Sequence, residues 1–181
     1  MSTPTHAPIT PAIRQAAQDS VLCWLATVDE AGWPNVSPKE IFAVLDDEHL
    51  VIAHIASPQS VRNIERHPQV CVSFVDVFKQ KGFKLRGHAQ LACAGDASFA
   101  AWSAPLAPLA GERFTIAAVI RVRVTHAEPV LAPSYRFYPE STTEAGQQAS
   151  ALARYGVQWA RSATANTHGK PDSPTQENPT P

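Results

Sequence analysis

From residue 21 to residue 127 the chain alternates short runs of β-branched and aromatic residues with turn formers, a pattern that predicts a mainly β protein. Residues 21–28 (VLCWLATV) read as a first strand. Residues 29–32 (DEAG) form a turn with Gly32 where a positive φ is wanted, and residues 33–44 return as a hairpin strand. Pro34 and Pro38 cannot donate to a ladder, so this second strand is expected to have free or edge-like stretches that expose backbone to a ligand. Further strands are expected at 49–55, 70–77, 83–91 and 114–127. In the last of these Ile120, Val122 and Val124 alternate with Arg121 and Arg123, giving one buried and one wet face.

Helical signals are fewer. Thr10 and Pro11 form a cap and first-turn pair for a helix over 11–19. Ser57 as N-cap, Pro58 at the first position, and Val61 with Ile64 on one face predict a second helix, ended by His67 and Pro68. A short helix is expected at 96–103 and a final helix at 142–155. Six strands joined mostly by short turns suggest a small closed or partly closed barrel.

At 181 residues the chain suits one domain, placed at 11–160. The Pro- and Thr-rich residues 1–10 and the polar residues 161–181 have little to bury and are expected to be tails. Fifteen Lys and Arg against sixteen Asp and Glu provide no net positive field, so nucleic acid is not an expected partner. No apolar run approaches the roughly 20 residues of a membrane-spanning helix, and the opening residues lack a leader pattern, so a cytoplasmic protein is expected. Cys23, Cys71 and Cys93 are an odd set without CxxC spacing, which suits buried free thiols better than a metal site.

The candidate chemistry lies in IASPQSVRN, where a strand runs straight into a helix start. Unpaired N–H groups and the positive dipole end make such a junction a phosphate cradle. Ser57 and Ser60 add hydroxyls, Gln59 an amide and Arg62 a cation; the plainer reading is a well-capped surface helix with a solvated Arg. Lys39, in PNVSPKEIF, lies in a strand expected beside the one feeding that helix, so it could reach the same anion or serve as an edge-strand charge. His88 reads as a satisfied barrel residue, and Trp24 and Trp102 as core or dimer packing. Nothing resembles a Ser-His-Asp, paired-carboxylate or HExxH arrangement.

Three segments in order, LATVDEAGWPNVSPKEIF, HLVIAHIASPQSVRNIERHPQVCVSF and GFKLRGHAQL, make residues 21–92 resemble the pyridoxamine 5'-phosphate oxidase-like, FMN-binding split-barrel family. The resemblance implies a six-stranded split β-barrel of Greek-key type with a few short flanking helices. It also implies that Asn35, Val36, Ser37, Pro38 and Lys39 border the isoalloxazine and ribityl groups of FMN, and that Ala53 and His54 lie beneath the ring or chain. Gln59, Ser60 and Arg62, with Ser57 and Asn63 of the same S-x-x-S-x-R-N helix, would hold the phosphate. Lys81, in the basic loop with Lys79, would approach the flavin pyrimidine. The chain has Pro34 where the authentic oxidase opens this strand with arginine, lacks the oxidase's C-terminal arginine and tryptophan motif, and carries Pro58, Gln59 and Ser60 in place of its Ser-Arg-Lys signature. The expected activity is therefore flavin-dependent oxidation or reduction of a small organic molecule by hydride transfer at N5, not pyridoxamine phosphate oxidation. A flavin carrier or sensor, or a haem- or F420-handling barrel, is the alternative. Because a small barrel's interior is filled by its own side chains, FMN is expected in a cleft between the subunits of a homodimer.

Overall fold

A computed structural model describes residues 9–159. Its centre is one antiparallel sheet of seven strands: β1 (Cys23–Val28), β2 (Pro34–Lys39), β3 (Phe42–Val44), β4 (His49–His54), β5 (Gln69–Asp76), β6 (Lys81–Cys93) and β7 (Ala118–Leu131). The strand order is β2-β1-β5-β6-β7-β4-β3, so β1 beside β5 and β7 beside β4 are Greek-key crossings.

The seventh strand arises because the expected strand over 33–44 is two. Glu40 is exposed, and Ile41 and Phe42 are then buried in succession on opposite sides of the sheet, so the two-residue alternation breaks there. β2 and β3 occupy opposite edges of the sheet although only Glu40 and Ile41 separate them. Two linking residues bridge about 10 Å at most. The edges must therefore approach each other, which curls the sheet into a barrel with a seam. Pro34 and Pro38 lie on the edge strand β2, where their missing N–H groups cost no ladder bond.

The barrel interior is filled by Leu25, Leu50, Ile52, Val72, Phe74, Leu85, Ile120, Val122 and Val124, all fully buried. Helix α1 (Pro11–Asp19) adds Ile13 and Ala17 to this core, and α2 (Pro58–Arg66) adds Ile64. Ile9 and Thr10, expected in the N-terminal tail, are docked. Ile9 is buried with its N–H on the Asp47 carbonyl at 2.6 Å, and Thr10 caps α1. Residues 1–8 and 160–181, the rest of the expected tails, lie outside the described residues.

A second apolar cluster sits outside the barrel, where α3 (Phe99–Ser103) and α4 (Ala107–Ala110) cover Val51, Ala53 and Val119. The face expected to be wet at Arg121 is thus partly covered, with the guanidinium 4.2 Å from the Trp102 ring centroid. The β6–β7 ladder shifts register after Arg86, and a Cβ at Gly87 would stand 2.1 Å from the Arg123 carbonyl oxygen, so only glycine fits there. After β7 come α5 (Pro133–Phe137) and α6 (Glu144–Tyr155), with Tyr155 and Trp159 packed around Phe78. Of the three free thiols expected to be buried, Cys23 is buried, Cys71 half-buried and Cys93 exposed. Among the described residues no helix is long and apolar enough to cross a membrane.

Candidate functional site

Strand β2 turns Asn35, Ser37 and Lys39 to one side and Pro34, Val36 and Pro38 to the other. The first two of the inward row are satisfied within the chain. Asn35 Nδ2 donates to Thr27 Oγ1 at 3.2 Å, and the Ser37 and Ser60 hydroxyls share a hydrogen bond of 2.9 Å. Lys39 differs: only 6% exposed, its side chain makes no hydrogen bond or ion pair with any described residue. Its ladder partner is Cys23, whose thiol burial pushes up to about 12, so the thiol stays neutral and offers no counter-charge. Burial lowers the Lys39 pKa accordingly.

Lys39 opens on a cavity of about 230 Å³ at the barrel seam, walled by Glu40, Ala53, Ile55, Ser57 and the ring of Phe114. His54 follows Ala53 with its Nδ1 buried and unpartnered, and burial and then the Lys39 charge lower its pKa. A buried cation without an anion and a buried imidazole nitrogen without a partner are both deficits that a ligand can fill.

Helix α2 starts at the same cavity. Thr10 and Thr143 cap α1 and α6 with their side chains, but Ser57 makes no such bond, contrary to its expected role as the cap. Pro58 has no N–H and the Ser60 N–H bonds the Ser57 carbonyl at 3.2 Å, so the Gln59 amide is the one left for another acceptor. Of the expected phosphate ligands, Ser60 and Asn63 are almost wholly buried and Arg62 is exposed. A chain of contacts joins Arg62, Gln59, Asn63 and Thr27: Arg62 to Gln59 Oε1 at 2.7 Å, Gln59 Nε2 to Asn63 Oδ1 at 2.7 Å, and Asn63 Nδ2 to Thr27 Oγ1 at 2.9 Å.

The structure thus gathers Asn35, Ser37, Lys39, Ser57, Gln59, Ser60, Arg62 and Asn63 along the β2–α2 junction, with Pro38 and Ala53 in the cavity wall. Val36 faces outward and is 57% exposed. Lys81 is engaged elsewhere: its Nζ bonds Glu144 at 2.9 Å and lies 4.3 Å from the Tyr135 ring centroid. Sequence reasoning missed Thr27 and Phe114. Thr27 was legible, since alternation with Cys23 and Leu25 turns it inward, where a hydroxyl needs a partner. Phe114 reaches the cavity from the α4–β7 connection, which no periodicity marks.

An antiparallel sheet curled into a seamed barrel, with Lys39 unpaired beside a helix start, defines a split-barrel protein. The family model of pyridoxamine 5'-phosphate oxidase matches residues 9–133, and the chain belongs to that family. Among solved structures, HupZ of Group A Streptococcus is 25% identical, with 66% of this chain and 91% of that one covered and a TM-score of 0.57. An FMN-binding protein from Syntrophomonas wolfei is 14% identical, covering 67% and 85% at a TM-score of 0.54. HutZ, the haem storage protein of Vibrio cholerae, is 20% identical, covering 68% and 94% at 0.55. At these two lower identities the likeness is one of fold. No curated protein matches the chain in sequence.

Proposed function

We propose that this protein binds FMN at the barrel seam and is a flavin-dependent oxidoreductase acting on a small organic molecule. The observation that carries the reading is Lys39: a lysine only 6% exposed with no anion of its own, whose charge acts on the orphaned His54 and which lies at the uncapped start of α2. These features fit a phosphate-bearing ligand, which would satisfy all three. Arg62 and the backbone N–H of Gln59 would meet the phosphate at the helix start. Lys39 would hold either the phosphate or the polar edge of the ring, and Phe114 would close the apolar side against water. Bound FMN supplies hydride chemistry at its N5.

Family membership supports a flavin, and the FMN-binding Syntrophomonas neighbour agrees with it. The departures at Pro34 and Pro58–Ser60 weigh against pyridoxamine phosphate as the substrate. The protein would work as a cytoplasmic homodimer. The free thiols suit a reducing compartment, and a second subunit would complete the enclosure of the ring. The test is the visible spectrum of the purified protein with mass analysis of the released ligand. Oxidised flavin bands and a mass of FMN, near one per chain, are expected. A Soret band without flavin, or a colourless protein that takes up no flavin, would overturn the proposal.

A further inference from the structure

Resting on the flavin reading above, we infer that Thr27 is a positioning residue: through Asn63 and Gln59 it orients Arg62, and so sets the preference for a phosphorylated flavin over riboflavin. Thr27 and Asn63 are each 2% exposed, whereas Gln59 and Arg62 lie on the surface. A buried hydroxyl thus connects in three steps to an exposed guanidinium.

Donor and acceptor accounting gives the relay its direction. Thr27 Oγ1 accepts from Asn35 Nδ2 at 3.2 Å and from Asn63 Nδ2 at 2.9 Å, which fills both of its lone pairs. With its Nδ2 committed there, Asn63 offers Oδ1 to Gln59, and the 2.7 Å contact has Gln59 Nε2 as donor. Gln59 then has its Oε1 left, and Arg62 donates to it at 2.7 Å. Reversing either amide would set donor against donor. Arg62 is a guanidinium with five N–H donors, and its bond to Gln59 engages only one of the terminal nitrogens. A guanidinium already held in place loses less rotamer freedom on meeting an anion, and only a ligand carrying the phosphate gains from this.

The competing role is a purely structural stitch between α2 and β1, which would affect phosphorylated and unphosphorylated ligands alike. Fluorescence titration of the full-length apoprotein with FMN and with riboflavin separates the two. Thr27→Val and Gln59→Met should each weaken FMN about tenfold, the loss expected for one charge-assisted contact, and leave riboflavin within about twofold. Thr27→Ser should keep wild-type selectivity. The double variant should lose no more than the weaker-binding single variant, because both changes break one relay. Because Gln59 is exposed, Gln59→Met tests the relay even where Thr27→Val does not fold. Equal losses for both ligands, or an unchanged FMN-to-riboflavin ratio in Gln59→Met, overturn the relay while the flavin site stands. A wild-type protein that binds neither flavin overturns both.

Discussion

At the scale of single residues, the tension lies in burying positive charge without an anion. Lys39 is 6% exposed and faces a thiol that burial keeps neutral, so its ammonium has lost much of its water and gained no counter-charge. Lys39→Met keeps the apolar stem and removes the charge. The apoprotein should then be as stable as wild type or more so, by on the order of 1 kcal/mol, while FMN binds roughly 10- to 100-fold more weakly. Calorimetry of the apoprotein and flavin titration check this. A large loss of stability with normal FMN affinity would return Lys39 to the role of an edge-strand charge. His54 adds a pH dependence. Its folded pKa lies below the ordinary 6.5, through burial first and Lys39 second. A base whose pKa falls on folding binds fewer protons folded than unfolded, so its contribution is intact above the unfolded pKa. Stability is lost as pH falls below that value toward the folded one. Thermal unfolding of the apoprotein at pH 7.5 and pH 5 should therefore show a smaller drop for His54→Gln than for wild type. Equal drops would mean that the imidazole finds a partner when it protonates.

At the scale of elements, the sequence was most legible where one local rule acted alone. The Thr10–Pro11 pair and the apolar spacing gave α1 its observed bounds, Pro11–Asp19, and Pro58 with His67 bracketed α2. Strand ends shifted by a few residues, as at Val21, which is 87% exposed and precedes β1. What was not legible depended on tertiary closure. Nothing local between Trp33 and Val44 says that the chain leaves one sheet edge and joins the other, although the pair Ile41 and Phe42 breaks the alternation there. Helices α4 and α5, of four and five residues, are too short for helical periodicity to declare them. The site followed the same division. Residue types along β2 and α2 announced a polar junction. Which members satisfy one another, and that Lys39 alone of the β2 row is left unsatisfied, follows only from the register of β2 against β1 and the seating of α2. Ser57 illustrates the limit: a favoured cap residue at the right place, yet with φ −122° and ψ 68° its hydroxyl makes no capping bond.

At the scale of the whole molecule, the outward side of the sheet is divided between apolar and charged ends. Register places Val36, Ala26, Cys71, Arg86 and His126 in one row across five strands, and Pro38, Trp24, Ser73, Lys84 and Glu128 in the next. Cross-strand partners share a face, so the β2–β1 end is apolar and the β6–β7 end mostly basic. Trp24 is 47% exposed and Val36 57%, an apolar surface that a second copy would cover. A two-fold contact matches like with like, and at the β6–β7 end Lys84, Arg86 and His126 already have Glu128 as partner at 3.0–3.2 Å, so that end does not need a second copy. The dimer is therefore expected to close apolar end to apolar end, near the strand whose other side carries Lys39, with each large side chain it buries contributing on the order of 1.5–3 kcal/mol. Val36→Arg puts a charge in the middle of that contact and should shift the protein to monomer in light scattering at micromolar concentration, with flavin loading becoming concentration-dependent. Leu109→Arg, on helix α4 over the β4–β7 part of the barrel's outside, should leave both unchanged. A flavin-loaded wild-type monomer at micromolar concentration, or a Val36→Arg variant that stays dimeric and fully loaded, would place the interface elsewhere or remove it.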